Sequence, residues 1–211
     1  MLRYISQKAK SSLELAGYFF TRFADDVFLV QSAFGDHYCF ASEAHAPSVR
    51  SLQGIFPDRK MPKSLVKSLI HRVLFALNFL HLDCNVVHTV TALAGIPVLT
   101  DFGQMRHIEP QNTGWCMPDV YRAPEVLLKL PWGYPIDVWS VGVMMLDLLE
   151  GRNLFRPHDP SNNQYVLPVA LAQYIAYLGT PPLNVLQQSP IFAVYFDADG
   201  KYLSDGSDSL V

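Results

Sequence analysis

Three side chains of the types that bind transition metals or form a reactive thiol fall close together in mid-chain: His81, Cys84 and His88. A structural zinc site needs four ligands, and no fourth stands at a suitable spacing. A thiol nucleophile needs a base, an orienting group and an oxyanion donor, and Cys84 with His88 supplies only thiol and base. Both readings are set aside in favour of packing and surface roles where a helix ends and a strand begins. Asp197-Ala198-Asp199-Gly200 has the acid spacing of a calcium loop, but its glycine is at the wrong offset and no glutamate closes it. An exposed acidic turn is expected there. Two other acids stand in patterned surroundings. Asp101 follows an apolar run and, taken alone, reads as an acidic turn after a strand. Asp137 lies in the first turn of a long apolar helix, where the helix dipole favours a carboxylate.

The order of the surrounding motifs says more than any one of them. Asp101-Phe102-Gly103, then Ala123-Pro124-Glu125, then Asp137-x-Trp139-Ser140-x-Gly142 resembles the protein-kinase signature set. The phrases Pro-Val-Leu-Thr-Asp-Phe-Gly and Pro-Asp-Val-Tyr-Arg-Ala-Pro-Glu-Val-Leu-Leu are most similar to the SR-protein kinase branch. The resemblance runs from about Tyr18 to Leu203. It implies an α+β protein kinase-like fold, incomplete at both ends. Residues 1–45 would form a remnant β small lobe and hinge, and residues 46–211 a mainly α-helical large lobe lacking its last helices. It also implies ATP and Mg2+ as cofactors, with Asp101 as a magnesium ligand. Asp137 would hold the backbone of the catalytic loop, and Glu43, Ala44 and His45 would form the hinge that receives adenine in kinases. A plain inter-lobe connector is the other reading of that hinge. Glu125 would pair with an arginine of a late helix that lies past the end of this chain, and is therefore expected to be unpaired or solvated. The implied substrates are arginine- and serine-rich proteins, without direct nucleic-acid or membrane binding, in the cytoplasm or nucleus.

The chain departs from that pattern where the chemistry should be. His88-Thr89 is followed by Val90 at the position of the catalytic aspartate, and Gly95 stands at the position of the metal-binding asparagine. From Thr89 to Thr100 there is no Asp, Glu, Asn, Gln, Lys or His. No Gly-x-Gly-x-x-Gly occurs in the chain, and Lys8 and Lys10 read as solvated charges. Loss of a general base alone costs about 10²–10⁴ in rate. The expectation is a catalytically dead pseudokinase or fragment. Two alternatives stand beside it: an active kinase whose sequence omits coding segments, and a scaffold that never binds nucleotide. Thr113 and Tyr121 lie in the activation segment as hydroxyls open to phosphorylation.

The elements that must position these groups are legible from periodicity. Ten of the fourteen residues from Ile136 to Leu149 are apolar and point all round a helix, which belongs in the middle of a domain. Pro135 suits its first turn and Gly151 its left-handed close. Gly142 is read as allowing close helix packing. Pro62 to His81 is a second helix with its stripe on Leu65, Val66, Leu69, Ile70, Val73, Leu77 and Leu80. Met1 to Ser6 reads as the last turns of a helix, Asp26 to Ser42 as a hairpin with a Ser32–Asp36 loop, and Val169 to Leu178 as an amphipathic helix. Val86 to Thr89 and Ile96 to Thr100 read as short strands. The 211 residues are half hydrophobic with a net charge of −3, ample for a core and no support for nucleic-acid binding. Three cysteines without paired spacing predict a reducing compartment. Met1 to Lys10 lacks the apolar core of a secretory signal, and no apolar run reaches the ~18–20 residues of a membrane span.

Overall fold

The computed structural model describes residues 2–10, 17–44, 47–89, 92–94, 98–109 and 112–203. In chain order the helices are α1 (Leu2–Lys10), α2 (Val49–Gln53), α3 (Lys63–Asn78), α4 (Pro124–Leu127), α5 (Pro135–Glu150), α6 (Leu167–Leu178), α7 (Leu183–Leu186) and α8 (Phe192–Tyr195). The strands are β1 (Asp26–Ser32), β2 (Gly35–Ala41), β3 (Val86–Val87), β4 (Ala92–Ala94), β5 (Val98–Thr100) and β6 (Arg106–His107). They pair as three two-stranded antiparallel sheets, β1–β2, β3–β6 and β4–β5.

Helix α5 is the common wall of three apolar clusters. Its Val141, Met144 and Leu148 pack with Val66, Leu69 and Val73 of α3, and that cluster also takes in Ile5 and Ala9 of α1. On a second side Val143 joins Phe155, Leu171 and Tyr174, with the Phe155 and Tyr174 rings stacked 4.0 Å apart. Ile136 closes a third with Val87, Ala123, Val126 and Trp132. Pro135 occupies its first turn, and Gly151 ends it at φ 72°. The helix is not buried all round, however. Val138, Gly142, Met145 and Leu146 lie exposed along a groove of about 990 Å³. Gly142 therefore does not serve close packing, since a Cβ there would meet no atom within 4 Å.

Helix α3 continues through a π-helical turn, Phe79–Asp83, closed by Cys84 N–H to the Phe79 carbonyl. The run Lys63–Asp83 is long and apolar enough, by length and composition, to cross a bilayer, contrary to the sequence expectation. Its Val66, Leu69, Val73, Ala76 and Leu77 are buried in the domain core. The first hairpin is tighter than expected: Ser32 pairs with Gly35 across a two-residue turn, so the Ser32–Asp36 loop is mostly strand. Both of its faces are largely exposed, including Phe34 and Tyr38. The second hairpin was not foreseen. Ala92–Ala94 pairs with Val98–Thr100 and folds the segment before Asp101 back on itself. Helix α1 runs on to Lys10, and α6 starts two residues earlier than its periodicity suggested.

Gly142 within α5 and Gly151 at its C-terminal cap give opposite expectations. A Cβ at Gly151 would lie 2.1 Å from the Asp58 carbonyl oxygen, on a residue already at positive φ. Gly151→Ala is expected to destabilise by about 2–4 kcal/mol, lowering Tm by roughly 5–10 °C. Gly142→Ala is expected to stabilise by about 0.5–1 kcal/mol, because helix propensity improves and nothing is displaced. Urea titrations of the two variants beside the parent protein check both signs.

Candidate active site

The first turn of α5 and the segment after α3 meet at one carboxylate. Asp137, 3% exposed, accepts the backbone N–H of His88 at Oδ2 (2.7 Å) and that of Thr89 at Oδ1 (2.8 Å). His81 Nε2 lies 2.9 Å from the same Oδ2, presented by the π-helical turn. The His81 ring packs against Tyr134, whose hydroxyl donates to Asn85 Oδ1. Thr89 is buried at φ 61°, a costly conformation for a β-branched residue. Its hydroxyl donates to the Gln104 carbonyl (2.8 Å), which ties the loop to the turn after Asp101.

That turn begins with Asp101 in the left-handed region (φ 68°, ψ 64°), its side chain exposed. Phe102 folds inward, 8% exposed, and meets His88 edge-on with ring centroids 5.4 Å apart. His88 is fully buried, and neither ring nitrogen has a well-formed hydrogen bond. Burial lowers its pKa to about 4, against the opposing charges of Asp137 and Asp101 and the Thr100 backbone. Gly103 is exposed beside them. Val90 and Gly95 lie outside the described residues, as does His45 of the hinge. Glu43 and Ala44 are exposed, and the Glu43 carbonyl accepts from Arg22 Nη2 (3.5 Å) and from the Ser42 hydroxyl (3.4 Å).

The activation segment is held by a residue the sequence reading passed over. Arg122, 3% exposed, donates to the carbonyls of Cys116 and Met117 and to Asp119 Oδ1 (2.7 Å). Its guanidinium lies over the Trp115 and Tyr165 rings, and the Tyr174 hydroxyl donates to its carbonyl. The available signal was its place directly before Ala123-Pro124-Glu125. Ala123 is buried at the N-cap of α4, Pro124 opens the helix, and Glu125 is half-buried without an ion pair among the described residues. Asp147 was also missed, although it is the second acid of an otherwise apolar helix. It is 5% exposed, and its Oδ1 accepts the Leu154 N–H (2.6 Å). Burial raises its pKa, against the Leu154 N–H and the Tyr121 hydroxyl beside it. Tyr121 is itself pushed up to about 12 by burial and by Asp147.

Of the cofactors that the resemblance implies, magnesium would meet Asp101 here, a single carboxylate that would need phosphate and water oxygens to complete its shell. Among the described residues no three His, Cys, Asp or Glu side chains come together to hold a metal ion, so Asp101 is a lone carboxylate. Burial, with Asp83 adding to it, raises the Cys84 thiol to about 11, which removes it as a nucleophile at neutral pH.

Two measurements follow from this geometry. Asp137→Ala would strand two buried N–H groups, and is expected to cost about 3 kcal/mol or more and to expose the His88 and Thr89 amides to hydrogen exchange. Retained protection of both amides in the variant would refute the arrangement. His88 binds a proton in the unfolded chain near pH 6.5 but in the folded chain only near 4. Its contribution is therefore intact above about pH 6.5 and falls as pH drops toward 4, by up to about 3 kcal/mol. Denaturant titrations from pH 7.5 to 4.5 should show that slope, and His88→Leu should flatten it.

Residues 30–178 match the family model described as the protein kinase domain. A serine/threonine protein kinase of Aspergillus fumigatus is 29% identical over 205 residues, covering 80% of this chain and 52% of its own length. A mitogen-activated protein kinase of Exserohilum turcicum is 31% identical over 144 residues, covering 64% of this chain and 41% of its own length. One from Cochliobolus heterostrophus matches at the same identity, over 38% of its length. The chain spans about half the length, or less, of these curated relatives. With the match covering more than half of it, the chain belongs to the protein kinase domain family and has its α+β fold.

Proposed function

We propose that this chain is a catalytically inactive kinase-like protein of the SR-protein kinase type, which acts by binding a protein partner. One observation carries the reading. Between Thr89 and Asp101 the chain holds only aliphatic and hydroxyl side chains, and β4–β5 pairing folds that segment into a hairpin. Phosphoryl transfer is mostly positioning and charge stabilisation, and needs a carboxylate within hydrogen-bond reach of the substrate hydroxyl. In the absence of such a group, Asp101 is the remnant of a magnesium ligand and Glu43 to His45 the remnant of a nucleotide hinge. Residues 1–45 belong to the small lobe and 46–211 to the large lobe. The branch assignment is supported by the two motif phrases around Asp101 and Glu125. Arginine- and serine-rich proteins are its partner class, and a cytoplasmic or nuclear location belongs to it on sequence grounds alone.

An active kinase with further residues coded between Thr89 and Asp101 is the second reading. The intact Asp137 cradle under His88 and Thr89 favours it. Sequencing the transcript across that junction separates the two. For the protein as given, radiolabelled ATP with Mg2+ and an arginine/serine-repeat peptide should yield no more transfer than an Asp101→Asn control. Turnover in the ordinary range of about 1–100 per second would overturn the proposal. Magnesium–ATP is likewise expected to give no saturable rise in Tm.

A further inference from the structure

Four of the chain's nine arginines converge on one open cleft of about 980 Å³. Arg50 comes from α2, Arg59 from the turn before α3, and Arg152 and Arg156 from the connection between α5 and α6. All four are exposed, and none forms an ion pair among the described residues. Exposed arginines are ordinary singly; here each one's backbone is held in place.

Two of the four anchors converge on Asp147. Gln53 Nε2 donates to the Asp147 carbonyl (2.9 Å), fixing α2 and so Arg50 against α5. Asp58 and Arg59 both adopt left-handed φ, 52° and 58°, and Gly151 packs against the Asp58 carbonyl. Two successive non-glycine residues at positive φ are costly and persist only where the surroundings enforce them. Leu154, midway between Arg152 and Arg156, gives its N–H to Asp147 Oδ1. The Gln173 side chain binds the Arg156 backbone at both N–H (2.8 Å) and carbonyl (3.0 Å).

The two acids on this cleft offset only part of the charge of the four arginines, Asp147 through its attraction to Arg50 and Arg156. Asp159 accepts the N–H and the hydroxyl of Ser161, each at 2.7 Å, and Asp147 lies buried at the floor with Oδ1 engaged. His158 leans away onto Asp119 Oδ2 (3.4 Å). Guanidinium groups match phosphate oxygens in a bidentate fork, and several around one anion bind more tightly than a single point charge. Val120, Met144 and Leu148 give the floor an apolar part, and Gln53, Asn153 and Asn163 a polar one, a mixture that suits a peptide backbone and side chains. A chain with net charge −3 is a poor host for a nucleic acid.

We propose that this cleft binds a phosphoserine- or phosphothreonine-bearing segment of a protein partner through Arg50, Arg59, Arg152 and Arg156. Binding here requires neither nucleotide nor phosphoryl transfer, so it stands or falls apart from the inactivity proposed above. The charge of the cleft repels unmodified arginine-rich segments and admits them only once phosphorylated.

Fluorescence anisotropy tests this with two fluorescein-labelled peptide mixtures, one with a fixed central phosphoserine in degenerate flanks and one with serine there. No nucleotide is added. The phosphoserine mixture should bind at least tenfold more tightly. Arg152→Glu/Arg156→Glu and the milder Arg152→Gln/Arg156→Gln should each lose at least tenfold with circular dichroism and Tm unchanged. Lys63→Glu/Lys67→Glu makes the same charge change on the exposed side of α3 and should leave binding intact. Equal binding of the serine mixture overturns the proposal. So does an equal loss in the lysine control, displacement by equimolar inorganic phosphate, or displacement by an equally charged single-stranded oligonucleotide.

Discussion

A buried carboxylate at the start of α5 receives two consecutive backbone N–H groups from the loop after β3. The loop must bring His88 and Thr89 out of solvent, and their amides face no strand partner there. Without Asp137 those donors would each cost on the order of 1–3 kcal/mol. The bond also sets geometry. Thr89 is held at positive φ, its hydroxyl reaches the Gln104 carbonyl, and the turn that begins at Asp101 is thereby fixed beneath His88 and Phe102. The apolar walls of α5 supply the rigidity, and Asp137 converts it into the position of a loop.

Because that interaction uses main-chain amides, it is indifferent to the side chains the loop carries. In this chain the loop closes onto Asp137 with no titratable side chain between Thr89 and Asp101. The position of the loop is thus separable from the chemistry of its side chains. The two hairpins fit this account. Strand β4 contributes backbone pairing to β5, which asks nothing of its residues beyond tolerance of an extended conformation.

The long elements were legible because their periodicity is strong. Helices α3 and α5 lie within a few residues of their apolar stripes, and Gly151 closes α5 as a left-handed glycine should. What periodicity hid was which side of α5 meets solvent. Val138, Met145 and Leu146 are as apolar as the buried residues, so composition cannot distinguish a core face from an open groove. The β4–β5 hairpin was hidden for another reason: Ala92–Ala94 is short and lacks the β-branched residues that mark a strand. At the site, motif order led to Asp101 and Asp137, which lie in one neighbourhood around His88. The roles of Arg122 and Asp147 depend in part on partners 52 and 94 residues away, which no local pattern encodes.

Asp147 stands ten residues after Asp137, about 15 Å along the same helix. Both are buried acids that accept backbone N–H groups from neighbouring loops: Asp137 from His88 and Thr89, Asp147 from Leu154. Helix α5 therefore acts as a beam with a loop fastened at either end. At one end the fastened loop carries no ionisable side chain between His88 and Asp101. At the other it carries Arg152 and Arg156, with Arg50 and Arg59 held opposite. An acid buried in a helix costs desolvation free energy, and here that cost is offset by the loop N–H groups each acid accepts, with His81 beside Asp137 and the Tyr121 hydroxyl beside Asp147. The loop at Leu154 bears Arg152 and Arg156, so the acid that fastens it also sets the position of two of the four guanidinium groups of the proposed phosphopeptide cleft.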